Sequence, residues 1–99
     1  MMQKYVLSKR AEKDLMNIWW YTVDTLSKEQ ADKYVRGILQ ACTEISNAPT
    51  FLGRPYDHVR PGYRKYPFGK HIIFYQIQSS GVVFISRILH EKMDFDRHL

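Results

Sequence analysis

Cysteine is nearly absent from this sequence: Cys42 is the single one among 99 residues, which excludes an internal disulfide and any metal site built on cysteine clusters. Long uninterrupted apolar segments are missing as well, so no membrane span is expected. No secretory leader pattern opens the chain, and a reducing cytosol is the expected compartment. The four histidines, His58, His71, His90 and His98, are scattered without the paired or helical spacing that metal ligands need. There is no glycine-rich phosphate loop and no nucleophile elbow, so no metal and no cofactor is expected. Internal repeats, linkers and low-complexity runs are absent too.

What is present is an ordinary soluble composition, 44% hydrophobic and 25% charged, far from that of a disordered chain. The length suits one domain over residues 1–99 with one core. Fifteen basic residues against ten acidic ones leave a formal charge of +5, which favours an acidic partner, either nucleic acid or an acidic protein segment, unless the lysines are merely solvated. Seven tyrosines and two tryptophans are a heavy aromatic load that serves equally in cores and at binding hot spots.

Residues 3–7 carry the apolar run Tyr5, Val6, Leu7 and read as a short strand, with Ser8 placed to cap a helix. Ala11, Leu15, Ile18, Trp19, Thr22, Val23 and Leu26 then fall at three-and-four spacing and draw one inward stripe. Ser27 and Gln30 have capping-box spacing, and Ala31, Tyr34, Val35, Ile38, Cys42 and Ile45 form a second stripe. So short a connection makes the two helices a hairpin. Pro49 ends the second helix, and the stretch to Gly62 reads as a long surface loop. Residues 63–66 and 71–77 read as strands joined by a turn at Pro67, Phe68 and Gly69. A second turn at Ser79–Gly81 leads into residues 82–89, apolar enough to be buried on both faces. The expected fold is therefore α+β: strand, helical hairpin, then a three-stranded antiparallel meander, giving a four-stranded sheet with the helices on one face. The tail from His90 to Leu99 is too short for an independent helix, and it either docks on the open sheet face or awaits a partner.

Polar chemistry concentrates on the sheet, at Arg64 and Lys65, Lys70 and His71, and Arg87 and His90. Arg64 and Lys65 occupy opposite strand faces, so one of them is expected to be only solvated. Arg87 interrupts the most apolar strand, where a bare guanidinium would be costly. It needs either a carboxylate such as Asp94 or Glu91, or the chain's carboxyl terminus, or it faces a ligand. Cys42, on an inner stripe, reads as a small hydrophobe. Trp19, Trp20 and Tyr21 are consecutive on a helix and cannot all face inward. Trp20 lies one turn from Met16, so an apolar patch is expected there, lying either under the long loop or open as a partner groove.

The ordered set Gly62-Tyr63-Arg64, His71 to Tyr75, Arg87-Ile88-Leu89-His90, Met93-Asp94 and Arg97-His98-Leu99 resembles the ParE toxins of the RelE/ParE superfamily. Ala11, Asp14, Leu15, Ile18, Trp19 and Tyr21 resemble that family's first helix, and Ala31, Tyr34 and Leu39 its second. The likeness runs the length of the chain. It implies a non-enzymatic toxin that poisons DNA gyrase, neutralised by a ParD-type antitoxin with which it forms a hetero-oligomer. Sequence-specific binding to nucleic acid is not part of that expectation. Met16, Trp19 and Trp20 are then the expected antitoxin contacts, and Arg64, Arg87, His90, Met93, Asp94, His98 and Leu99 the expected target contacts. The alternative is a ribosome-dependent mRNA endonuclease of the RelE branch, for which Arg64, Arg87 and His90 would stabilise the phosphate and move the proton. The late tyrosine of many RNA-cleaving relatives is replaced by the run Glu91-Lys92-Met93.

Overall fold

A computed structural model describes residues 5–99; Gln3 and Lys4, at the start of the expected first strand, lie outside them. Strand β1 (Tyr5–Leu7) leads into α1 (Lys9–Thr25) and α2 (Lys28–Asn47), followed by β2 (Arg54–Pro55), β3 (Arg64–Phe68), β4 (His71–Ile77), β5 (Val83–His90) and a single helical turn, α3 (Phe95–His98). The sheet has five strands in the order β1-β5-β4-β3-β2, against the four expected. The additional strand is two residues of the expected loop, which add to the outer edge of β3 with Arg54 opposite Lys65 and Pro55 opposite Arg64. Two residues have too little periodicity to announce a strand in sequence. β1 and β5 are parallel, and the remaining pairs are antiparallel.

Both long helices start where the sequence placed them. The Ser8 hydroxyl accepts the Ala11 N–H, and that of Ser27 accepts the Gln30 N–H, each satisfying a donor that has no partner within its helix. Ala11, Leu15 and Ile18 of α1 and Ile38, Ala41, Cys42 and Ile45 of α2 pack on Ile73, Tyr75, Val83, Ile85 and Ile88 of the sheet. Burial pushes the Cys42 thiol up to about 12, so it is a hydrophobe and not a nucleophile. Leu26 departs from the expected stripe. It caps α1 in the turn of the hairpin and is 71% exposed.

β3 runs two residues further than expected: Pro67 and Phe68 are still strand residues, Phe68 opposite His71, and the turn falls on Gly69 and Lys70, with Gly69 at a φ of 57°. Pro67 is tolerated inside β3 because β2 covers only Arg64 and Lys65, which leaves the proline on an open edge. The face of the sheet away from the helices is covered around Phe74, which is fully buried. Phe95 of the tail stacks edge-on against Phe74 at 5.0 Å, and Tyr56 of the preceding loop joins them at 5.4 Å from Phe74. Of the two fates open to the tail, docking is the one observed.

Candidate functional site

The most constrained polar group is Arg87, and a β-bulge puts it where it is. Tyr75 pairs with Ile85 and Phe74 with Arg87, so Ser86 is the extra residue. Strict alternation from Val83 and Ile85 would drive Arg87 into the helix-covered core. The bulge instead returns Ile88 to that core, opposite Ile73, and turns Arg87 to the tail face beside Phe74. Among the described residues no strand covers the edge of β5 beyond Leu7, because β1 pairs only with residues Val83 to Ile85. Asp14 of α1 fills that gap: its carboxylate accepts two bonds from the Arg87 guanidinium at 2.9 Å each and the Ile88 N–H at 2.9 Å. The third guanidinium bond, 2.9 Å long, goes to the backbone carbonyl of His98. The hydrogen bonds to Asp14 raise the Arg87 pKa further, outweighing the opposing effect of burial. The partner of Arg87 is thus Asp14 together with a carbonyl of the tail, in place of the expected Asp94, Glu91 or terminal carboxylate. A contact spanning 73 residues left no local trace. The available signal was a lone acid bordering the stripe Ala11, Leu15 and Ile18.

Arg64 lies elsewhere. Its side chain donates to the Tyr75 hydroxyl and to the carbonyls of Thr50 and Gly53, while that hydroxyl meets the carbonyls of Pro49 and Leu52. A phenol has one proton to give, so the loop shares it between two carbonyls. Gly53 is required here, with a φ of 78° and a backbone so close to Tyr75 that a Cβ would collide with the hydroxyl. Lys65, on the opposite face, sits 5.0 Å over the Tyr56 ring. Neither residue is simply solvated.

His90 forms a third cluster. It faces His71 with ring centroids 5.3 Å apart, and its Nδ1 accepts the Lys92 N–H. The His71 Nδ1 shares a 2.7 Å bond with the Tyr34 hydroxyl. Burial first, and His90 second, push His71 below the usual histidine range. Register shows how far apart these residues are: His90 lies opposite His71, Arg87 opposite Phe74 and Arg64 opposite Tyr75, on the far strand. Arg64 and His90 are therefore separated by four residues along β4, roughly 13 Å at the usual rise, and the three side chains turn to three different sets of partners.

The tail residues gather around the first of these clusters. Asp96 accepts the Tyr56 hydroxyl and His58 Nε2, both at 2.9 Å, and these bonds hold its carboxyl below the ordinary range. Met93 and Asp94 are exposed, and Leu99 closes the last turn onto the Phe95 carbonyl. His98, Arg97 and Arg87 line one side of a cavity of about 360 Å³ whose other side is Arg10, Lys13, Asp14 and Asn17 of α1. On the outer face of α1, Met16 and Trp20 are 61% and 56% exposed, so the apolar patch is open and not hidden under the loop. Trp19 is different: its indole N–H donates to Asp32 of α2 at 2.8 Å, tying the hairpin together. Among the described residues no three His, Cys, Asp or Glu side chains are grouped to hold a metal, and no helix is long and apolar enough to cross a membrane.

The comparisons agree with this architecture. The family model of the ParE toxin of type II toxin-antitoxin systems, parDE, matches residues 5–95. Toxin ParE1 of Mycobacterium tuberculosis is 38% identical over 99 residues, all of both chains. Toxin ParE1 of Caulobacter vibrioides is 40% identical over 99% of each. A chain of the chromosomal ParDE system of P. aeruginosa superposes with a TM-score of 0.77 at 22% identity, over 90% of this chain and 96% of the other. A chain of the RelBE2 toxin-antitoxin complex of Mycobacterium tuberculosis gives 0.69 at 16% identity, over 91% and 99%. At those identities the two structures speak to the fold alone.

Proposed function

We propose, from the premise that this chain belongs to the ParE toxin family of type II toxin-antitoxin systems, that it acts as a binding poison of DNA gyrase. On this reading it carries out no covalent step, and a ParD-type antitoxin silences it by covering α1. The observation that carries the reading is the dispersal of the three residues a nuclease would need. Arg87 is held by three hydrogen bonds to Asp14 and the His98 carbonyl, Arg64 clamps the loop after α2, and His90 faces His71. General acid–base work on a phosphodiester needs such groups within hydrogen-bond reach of one reacting centre. A surface that traps an enzyme needs only a rigid, well-packed shape. The docked tail, held by Phe95 on Phe74 and by Asp96 on Tyr56 and His58, supplies one.

The antitoxin reading rests on the exposed pair Met16 and Trp20 beside a chain of net charge +5. An acidic segment that folds on binding would bury the aromatic side chain and gain speed from the opposite charge. The P. aeruginosa and RelBE2 chains come from toxin-antitoxin assemblies, which fits a protein partner for this chain too. The test is gyrase supercoiling with and without ATP in the presence of the purified toxin, run beside a translation reaction scored for mRNA cuts. Accumulation of cleaved DNA is the expected result. Normal supercoiling at a large molar excess of toxin, with ribosome-bound mRNA cut, would replace this reading by the endonuclease.

A further inference from the structure

The cavity between α1 and the tail concentrates charge beyond anything the fold requires. Four cations, Arg10, Lys13, Arg87 and Arg97, line it against the single carboxylate of Asp14, a net +3 of the chain's formal +5. Asn17 adds an amide and His98 an imidazole to the same walls. The arrangement is costly in two ways. Like charges repel across a shared cavity, and Arg10 and Lys13 stand at the amino-terminal end of α1, which begins at Lys9. There the helix dipole disfavours cations by a few tenths of a kcal/mol or more each. The carboxyl-terminal turn of α1, where cations would stabilise the helix, holds none. Asp14 cannot offset the excess, since its oxygens are already spent on Arg87 and the Ile88 N–H. Those same bonds fix the cavity floor, while Arg10, Lys13 and Arg97 are exposed and free to reach a ligand.

We infer that this cavity is a phosphate site for the backbone of nucleic acid, so that the toxin touches DNA directly and without regard to sequence. Stacked positive charge calls for a dense anion. A nucleic-acid strand carries about one charge per 3.4 Å, a density that a peptide reaches only with consecutive acids. Planar guanidinium groups and a side-chain amide also suit phosphate oxygens, which accept several donors at once. A poison of a DNA-bound enzyme would gain from holding the DNA as well, but the site does not depend on which enzyme is poisoned.

The test therefore omits gyrase. Fluorescence anisotropy of a labelled DNA duplex is titrated with wild-type toxin, with R10Q/K13Q and, as a control, with K33Q on the outer surface of α2, folding being checked by circular dichroism. Wild type and K33Q should bind alike. The double variant should lose about tenfold or more in affinity, and the slope of log affinity against log salt should fall by roughly two, near one for each phosphate contact removed. Equal affinity and slope for wild type and R10Q/K13Q would overturn the inference, as would absence of wild-type binding at low salt. A parallel titration with labelled polyglutamate covers the remaining outcome. If only polyglutamate binding depends on Arg10 and Lys13, the cavity is a site for acidic protein and the inference fails.

Discussion

Replacing Arg87 by methionine keeps an unbranched apolar stem in place of the side chain's inner part and removes its three hydrogen bonds. The side chains of Arg87 and Asp14 are only 15% and 11% exposed, so the variant leaves a largely desolvated carboxylate whose sole remaining donor is the Ile88 N–H. Breaking a buried pair from one side costs about 3–5 kcal/mol. The residual exposure and that one donor put the expected loss near the lower bound, about 3 kcal/mol. For a domain of this size that is a fall of about 12–24 °C in Tm. Asp14→Asn should cost less, since a neutral amide oxygen can still accept from Ile88 and the guanidinium keeps the His98 carbonyl. The double variant restores neutrality, so the cycle should show a coupling of about 1–3 kcal/mol. Chemical denaturation of the four proteins measures it. Additivity within about 0.5 kcal/mol would refute the argument, because two groups joined by a bidentate bond cannot be independent. The tail gives a second readout: with the His98 carbonyl released, amide protons of residues 95–99 should exchange faster in Arg87→Met than in Asp14→Asn.

Two further outcomes follow from the other clusters. Tyr75→Phe removes the hydroxyl that serves Pro49, Leu52 and Arg64; it should cost about 1–3 kcal/mol and make residues 49–53 the first site of limited proteolysis, and an unchanged cleavage pattern would mean that Arg64 alone holds the loop. His71 takes up its proton at lower pH in the folded chain than in the unfolded one. Between those two values the unfolded chain binds more protons, so His71 should make stability fall as pH drops below the ordinary histidine range of about 6.5. Comparing urea midpoints of wild type and His71→Gln at neutral and mildly acidic pH isolates that slope; identical pH dependence would remove His71 as its source.

How much of this was legible in the sequence depends on the range of the interaction that fixes each feature. The helices and their caps were readable because Ser8 and Ser27 act on donors three residues away, and the stripes repeat within a turn. The meander was readable for the same reason, each strand being adjacent to the next in sequence. β2 was not, since two residues become a strand only when β3 offers an edge. Arg87 marks the boundary. Its need for a partner was evident from the apolar residues around it, but the partner came from a bulge at Ser86 and from a strand edge left bare where β1 stops. Both are consequences of pairing across the whole chain, and no local pattern encodes them. The cavity was hidden likewise: no sequence pattern groups Arg10 and Lys13 with Arg97, which meet only when the tail folds back beside α1.

The two surfaces assigned to α1 are neighbours, and that adjacency has a consequence for neutralisation. Lys13 and Trp20 are seven residues apart, which places them within roughly 20° of each other around the helix, while Met16 is one turn beyond Lys13 and Arg10 one turn before it. A segment that buries Met16 and Trp20 therefore has its next polar side chains over Lys13 and Arg10, at the mouth of the cavity. An acidic antitoxin segment would then fill with carboxylates the site we assign to phosphate, and silence the toxin by occupying it. In that case antitoxin and DNA should compete for the toxin. Trp20→Ala removes an aromatic anchor that is 56% exposed, so it should lower antitoxin affinity by about 2 kcal/mol or more, roughly thirtyfold, and leave DNA binding unchanged. R10Q/K13Q should weaken both. Calorimetry with the antitoxin segment and anisotropy with the duplex, each repeated at saturation with the other ligand, separate these effects. Full antitoxin affinity in Trp20→Ala, together with DNA that stays bound under saturating antitoxin, would place the antitoxin on another face and leave the cavity open in the complex.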